Sequence, residues 1–138
     1  ERHPPPLSGS DADPRALEQC RANAARARLG VALKQLPLAR VEPREGTGAL
    51  LANPPYGERL ARPEHLTNDL DALLGRFAAW QRALIVSRGF PSRLRAARVQ
   101  AVFNGPIECE LRRYDAVGPP GSGRRLSFRA PAHRSGTQ

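Results

Sequence analysis

Two hydrogen-bond acceptors stand side by side at positions 53 and 54, in the octapeptide Asn-Pro-Pro-Tyr-Gly-Glu-Arg-Leu that spans residues 53–60. The side-chain carbonyl of Asn53 and the backbone carbonyl of Pro54 could each accept one proton of an amine. An exocyclic amine of a nucleobase is a poor nucleophile because its lone pair is delocalised into the ring. Two such acceptors would draw the nitrogen toward tetrahedral geometry, so the pair predicts chemistry at a base amine.

The neighbouring residues suit the same chemistry. Pro54 and Pro55 fix their own φ and keep the preceding residue extended, so the acceptors are positioned before a substrate binds. Tyr56 is predicted to stack on a base that has been turned out of its strand. For Asn-Pro-Pro alone a simpler interpretation stays open, in which the prolines only end a buried strand with a turn.

A second motif lies at residues 103–109, Phe-Asn-Gly-Pro-Ile-Glu-Cys. Together, and in this order, the two motifs closely resemble those of class I S-adenosylmethionine-dependent base-amino methyltransferases, in particular the THUMP-associated large-subunit ribosomal RNA guanine-N2 methyltransferases. The resemblance covers roughly residues 8–116. It implies S-adenosyl-L-methionine as the methyl donor, guanine N2 of ribosomal RNA as the acceptor, and a THUMP domain upstream in the full-length protein.

The resemblance also implies roles for individual residues. The catalytic set would be Asn53, Pro54, Pro55 and Tyr56. Asp11 and Ala12 would lie in the acidic loop after the second strand of the family's fold, where the Asp11 carboxylate would accept hydrogen bonds from the ribose hydroxyls of the cofactor; Asn53 would contact the cofactor as well.

One position departs from the family's pattern. Family members usually carry a carboxylate just after their third strand that contacts the adenine amine of the cofactor. Pro37 stands there in this sequence, and Glu42 is the nearest substitute. Without the carboxylate, an affinity for the cofactor as high as is normal in the family is not expected.

The N-terminal half is predicted to contain a strand at residues 7–8, a helix over residues 14–29 and a short strand near residues 33–36. Asp13 is a good N-cap and Pro14 suits the first helical position, while Gly30 is predicted to end the helix. The expected apolar stripe of that helix consists of Leu17, Cys20, Ala24 and Ala27.

The C-terminal half begins with the apolar strand at residues 49–52 that leads into Asn53. A helix is predicted over residues 63–80 from apolar residues at helical spacing, with Trp80 as a core residue. A buried parallel strand follows at residues 82–87. Residues 99–103 and 107–114 then flank Asn104-Gly105, which predicts an antiparallel hairpin whose loop Pro106 could lengthen.

The predicted fold is α/β, a Rossmann-like class I methyltransferase fold that is incomplete on its N-terminal side. The chain has 138 residues, which is short for a complete doubly wound sheet, and it contains no glycine-rich cofactor loop. We expect that loop and the first strand to lie upstream of Glu1, with the strand placed between those that end at Asp11 and Asn53. Residues 1–116 would form the partial catalytic domain, and residues 117–138 a disordered tail rich in Gly, Pro, Ser and Arg.

Composition limits the partners. The net charge of +9 and the isoelectric point of about 11.3 favour a polyanion such as RNA. Cys20 and Cys109 are far apart and the three histidines are scattered, so no metal site is expected. No apolar run is long enough to cross a membrane, and we expect a cytoplasmic protein.

Two other functions stay open. Adenine, in DNA or RNA, presents an exocyclic amine to the same residues. Alternatively, the chain is an RNA-binding remnant that has lost catalysis, because the glycine-rich segment that normally holds the methionine part of the cofactor is not in the sequence.

Overall fold

The computed structural model describes residues 5–55 and 63–118. Helices alternate with strands until the last two strands, which form a hairpin. The elements in chain order are β1 (Leu7–Asp11), α1 (Pro14–Arg26), β2 (Val31–Gln35), a 3-10 turn (Leu38–Arg40), β3 (Ala49–Ala52), α2 (Pro63–Arg76), β4 (Gln81–Ser87), β5 (Arg98–Asn104) and β6 (Ile107–Tyr114). β1 and β2 pair in parallel, and the other strands form a second sheet in the order β3-β4-β6-β5.

The start of α1 follows the local sequence. Asp13 has extended backbone geometry, and its side chain accepts a hydrogen bond from the backbone N–H of Arg15 at 2.8 Å. Pro14 takes the first helical position, where the missing N–H costs nothing. The predicted N-cap is therefore confirmed.

The end of α1 differs from the prediction, because the helix stops at Arg26 and not at residue 29. Arg28 adopts a φ of 55°, and its N–H and that of Leu29 donate to the carbonyls of Ala25 and Ala24. This is a Schellman cap in which arginine occupies the left-handed position that glycine usually takes. The prediction that Gly30 ends the helix was wrong because the cap forms two residues earlier.

Burial of α1 is also narrower than predicted. Leu17 is buried and Ala24 is half-buried, but Cys20 and Ala27 are exposed. Strand β2 begins at Val31, two residues before the predicted start, and β1 extends through Asp11 instead of ending at residue 8. These shifts put Asp11 inside the sheet register, opposite Gln35.

The hydrophobic core lies between α2 and one face of the second sheet. Alternate residues of β4, namely Arg82, Leu84 and Val86, are buried on this face. The buried members of the core are Leu70, Leu73, Leu74, Phe77, Leu84, Val86, Phe90 and Tyr114. The other face of β4, with Ala83 and Ile85, is only half-buried.

Helix α2 ends at Arg76, four residues before the predicted end. Trp80 nevertheless packs against the core, with its ring edge-on to Phe77 at 5.2 Å between centroids. Its indole N–H donates to the carbonyl of Gly46 at 3.0 Å, and a Cβ on Gly48 would come within 2.7 Å of the ring. Trp80 is thus a core residue, as predicted, and the tight turn after the helix places it there.

The predicted hairpin is present with a turn shifted by one residue. Asn104 pairs with Ile107, so Gly105 and Pro106 are the two turn residues and not Asn104 and Gly105. Gly105 has a φ of 59°, a conformation that suits glycine at the first position of a two-residue turn. Asn104 is therefore the last residue of β5, at the end of the sheet.

The two sheets are not hydrogen-bonded to each other in the part of the chain that the structure describes. β1 and β3 are both edge strands, with Leu7 45% and Leu51 68% exposed. Arg76 of α2 links the two halves, since it donates to the carbonyls of Leu38 and Val41 at 3.0 Å. A strand between β1 and β3 remains a prediction of the sequence.

Arg82 holds the ends of α2 and β6 together from inside the core. Its guanidinium donates to the carbonyls of Leu74, at 2.9 Å, and Asp115, and lies 5.8 Å from the centroid of the Tyr114 ring. Burial lowers the pKa of Arg82, although an arginine stays charged in a protein. The Tyr114 hydroxyl is buried and has no hydrogen-bond partner among the described residues.

Arg82→Leu should therefore lower the free energy of unfolding by about 2–3 kcal/mol, because one buried and one partly buried carbonyl lose their donor. Tyr114→Phe is the matched variant and should change it by less than about 1 kcal/mol, since no hydrogen bond is lost. Denaturant unfolding of both variants measures the difference. Equal destabilisation by the two substitutions would contradict this role of Arg82.

Candidate active site

The carboxyl ends of three strands meet at one edge of the second sheet. β3 is parallel to β4, and β6 is antiparallel to both β4 and β5, so β3, β4 and β5 run in the same direction. Asn53 directly follows β3, and Asn104 ends β5. This is the edge at which ligands bind in open α/β sheets.

An open cleft of about 270 Å³ lies at this edge. Its lining residues are Asn53, Ile85, Val102, Phe103, Asn104 and Leu111. The cleft joins the two sequence motifs, because Asn53 belongs to the first and Phe103 and Asn104 to the second. Residues that are about fifty positions apart in the chain therefore line one site.

Strand register explains the floor of the cleft. Leu51 pairs with Ala83 and Ala52 with Leu84, and continuing this register places Asn53 beside Ile85. Ile85 pairs in turn with Leu111. By the alternation of side chains along strands, these residues lie on the face opposite the α2 core. The floor is thus apolar, with the Asn53 amide at its end.

The two prolines after Asn53 have different environments. Pro54 is buried, whereas Asn53 and Pro55 are exposed. The buried ring fixes the chain at the position where it leaves the sheet, and the φ of both prolines is restricted. Tyr56, Glu58 and Arg59 lie outside the described residues, and the stacking predicted for Tyr56 stays a prediction.

The loop after β1 is fixed by short-range hydrogen bonds. Asp11 is exposed, and its Oδ1 accepts from the backbone N–H of Asp13 at 2.8 Å. The carbonyl of Ala12 accepts from Nε2 of Gln35 at 3.2 Å, which ties the loop to the end of β2. Asp11 ends β1 and Asn53 follows β3, each a strand of a parallel pair, but these strands belong to separate sheets that are not hydrogen-bonded to each other among the described residues.

The residue proposed to replace the family's adenine-binding carboxylate has another partner. Pro37 begins the 3-10 turn after β2, and Glu42 follows it. The Glu42 carboxylate lies 3.6 Å from Nε of Arg76, which also binds the carbonyls of Leu38 and Val41. Glu42 is thus part of the contact between this turn and α2.

Comparison with known proteins decides the family. Residues 1–112 match the family described as RMKL-like, methyltransferase domain. The chain belongs to this family. The ribosomal RNA large subunit methyltransferase K/L of Legionella pneumophila strain Corby is 36% identical over 115 residues, and that of Allochromatium vinosum is 46% identical over 72 residues.

The matched region is a small part of these relatives. The alignments cover 76% of this chain and 16% of the Legionella protein, and 46% of this chain and 10% of the Allochromatium protein. A solved methyltransferase complexed with SAH, SMU.472, superimposes with a TM-score of 0.71 and 26% identity, covering 82% of this chain and 32% of its own.

These matches confirm the family resemblance and the Rossmann-like class I fold with its C-terminal hairpin, and S-adenosylmethionine is the cofactor of that class. The side chains of the RMKL-like domain fit this cofactor at its ribose. The only hydrogen bond of the Asp11 carboxylate within the described ranges goes to Oδ1, so Oδ2 remains able to accept from a ribose hydroxyl.

No group of three metal-binding side chains occurs in residues 5–55 and 63–118. Cys20 is exposed and Cys109 is buried, and both are free thiols. No helix among the described elements is long and apolar enough to cross a membrane.

Sequence analysis missed the contacts that brace the hairpin side of the cleft. Arg88 pairs with Glu108 at 2.9 Å, and the N–H of Gly89 donates to Oε1 of Glu110 at 3.4 Å. Glu110 also pairs with Arg112 at 2.7 Å. The sequence does contain a signal for these contacts. Glu108, Glu110 and Arg112 are two positions apart, so their side chains lie in a row on one face of β6. This row holds the segment after β4 against the hairpin.

Protonation of Glu110 should loosen this bracing. The hydrogen bond from Arg112 lowers the pKa of Glu110 below its usual value. The stabilisation is then complete above the pKa of the unfolded state and is lost as the pH falls through the lower pKa of the folded state. Glu110→Gln should thus flatten the fall in the free energy of unfolding below about pH 5.

Urea unfolding between neutral and acidic pH measures this slope. Glu18→Gln, in an exposed position of α1, is the matched control and should leave the slope unchanged. A slope for Glu110→Gln equal to that of the unsubstituted protein would rule out the contribution of Glu110.

Proposed function

We propose that this chain carries the methyl-transfer site of an enzyme that methylates an exocyclic base amine, guanine N2 in large-subunit ribosomal RNA. One observation carries the proposal: the exposed Asn53, held next to the buried Pro54, shares an apolar-floored cleft with the second motif.

The chemistry follows from the acceptors. Asn53 Oδ1 and the Pro54 carbonyl each accept one proton of the amine, which localises the lone pair on the nitrogen and aims it along one direction. S-adenosylmethionine, when bound, supplies an electrophilic methyl group. Because the acceptors are fixed, orienting the amine toward the methyl group costs less entropy. The proton released after methylation passes to water, so no general base is required.

The other parallel pair would hold the cofactor. The Asp11 carboxylate would accept from the ribose hydroxyls through Oδ2, and Ala12 follows it in a loop held by Gln35. Glu42 is paired with Arg76 through Oε1, and its side chain is exposed, so Oε2 remains able to accept a hydrogen bond at the adenine end.

An RNA substrate is supported from two directions. The net charge of +9 favours binding to phosphates, and the relatives cited above are named as ribosomal RNA methyltransferases. Recognition of RNA bases commonly uses unstacked bases, which the open cleft can admit. A ribosomal RNA substrate implies action in the cytoplasm.

Asn53→Ala in the full-length gene product should lower the methylation rate by about a hundredfold or more, the usual scale for a positioned polar group at a reacting atom. Asn53→Asp is the matched variant and should keep more activity, because a carboxylate also accepts hydrogen bonds. Single-turnover assays give the rates, and calorimetric titration gives cofactor affinity. A loss of affinity as large as the loss of rate in Asn53→Ala would contradict the assigned role.

Asp11→Ala should weaken S-adenosylmethionine binding by about tenfold or more, since hydrogen bonds to a charged acceptor are lost. Asp13→Ala should leave that affinity within about twofold and lower the unfolding free energy by about 1 kcal/mol, because it removes only the N-cap of α1. Calorimetric titration and denaturant unfolding separate the two effects. Equal affinities of the two variants would refute ribose recognition by Asp11.

A further inference from the structure

Strand β5 forms the outer edge of the second sheet, beside β6. Residues 98–103 make no backbone hydrogen bond to any described residue outside β6. Residues 99–104, Val-Gln-Ala-Val-Phe-Asn, contain no charge, proline or glycine. Charged side chains, prolines and bulges are the usual devices that keep an edge strand from pairing with another chain. The edge of β5 is therefore open to a further strand.

Two exposed apolar side chains lie on one face of this edge. Glu110 pairs with Val86, which is buried against α2, and Ala101 pairs with Glu110, so these residues share the side of the sheet that α2 covers, called here the α2 face. Val99 and Phe103 lie two positions to either side of Ala101 on the same face, and they are 54% and 74% exposed. The Phe103 ring thus points away from the floor of the candidate active site.

An open groove of about 430 Å³ lies on the α2 face beside Val99. Leu94 and Ala96 form its apolar side together with Val99, and Leu94 is 40% exposed. Glu110 and Arg112 border the groove as well, but they are paired with each other at 2.7 Å. An apolar side chain can therefore enter the groove without leaving an unpaired charge beside it.

The two exposed residues complement each other when β5 pairs with a second copy of itself. With the two strands antiparallel and Ala101 opposite Ala101, Val99 lies opposite Phe103 of the second copy, because both are two residues from the centre. A β-branched residue and an aromatic ring form a favourable cross-strand pair. The same register sets Arg98 opposite Asn104, so like charges do not meet.

We propose that two copies of this chain associate through β5, in one antiparallel sheet whose two-fold axis passes between the Ala101 residues. Phe103 of each copy covers Val99 of the other and enters the groove beside it, which removes both side chains from water. A polyanion fits this edge less well, because residues 99–104 carry no cation. An isologous contact is complete after two copies, so the assembly ends at a dimer.

Sedimentation of the full-length gene product tests the dimer. The unsubstituted protein should dimerise in the micromolar range, and Phe103→Asp should raise the dissociation constant about a hundredfold or more, because a charge enters two symmetric contacts. Leu29→Asp is the matched control, since Leu29 is 54% exposed beyond the end of α1, and it should leave the constant unchanged. An unsubstituted protein that stays monomeric, or equal constants for the two variants, would overturn the proposal.

A disulfide tests the register. Opposite Cα atoms of an antiparallel pair are about 4.5–5.5 Å apart, within the range of a disulfide, so Ala101→Cys should cross-link the dimer under mild oxidation. The two Val99 residues would lie about 13 Å apart, so Val99→Cys should not. Both variants carry Cys20→Ser, because Cys20 is exposed. Equal cross-linking of the two variants on a non-reducing gel would overturn the proposal, and so would a dimer that Ala101→Cys does not cross-link.

Thermal unfolding separates loss of the interface from loss of the fold. Because the Phe103 ring is exposed in a single copy, Phe103→Asp should leave the Tm of the dilute protein unchanged. A lower Tm together with an unchanged dissociation constant would overturn the proposal and identify Phe103 as a residue that packs within its own chain. These measurements do not use methyl transfer, so their outcome is independent of the proposed function.

Discussion

The alternation of β4 between two faces is the constraint on which the site depends. Arg82, Leu84 and Val86 are buried against α2, which forces Ile85 to the opposite face. The register with β3 then puts Asn53 on the face of Ile85, and the register with β6 adds Leu111. A slip of one residue would turn Asn53 into the core. Packing of α2 therefore sets the orientation of the acceptor.

Rigidity at the edge of the sheet comes from three local devices. Pro54 is buried behind Asn53, the Gly105-Pro106 turn ends the hairpin, and the Arg88–Glu108 pair joins the segment after β4 to β6. Each of these devices limits the motion of a residue that lines the cleft, or of the neighbour of such a residue. Preorganised acceptors are more effective in catalysis because they need no reorganisation when the reaction occurs.

Local signals predicted the elements that depend on local interactions. Asp13 and Pro14 specify the start of α1, and β4 and the hairpin follow from apolar patterning and turn residues. The end of α1 could not be predicted, since Arg28 adopts a conformation that is rare for residues other than glycine.

The Glu42–Arg76 pair and the exposure of Phe103 depend on tertiary contacts that periodicity does not encode. The roles of Asn53 and Asp11 came from a family resemblance, and the meeting of the two motifs at one cleft required the strand order.

The most direct test of the account is the identity of the methylated nucleoside. Ribosomal RNA lacking the modification would be incubated with the full-length gene product and methyl-labelled S-adenosylmethionine, digested, and analysed by mass spectrometry. The account predicts label in N2-methylguanosine, and none when Asn53 is replaced by Ala. Label in N6-methyladenosine, or equal labelling by the Asn53→Ala variant, would contradict it.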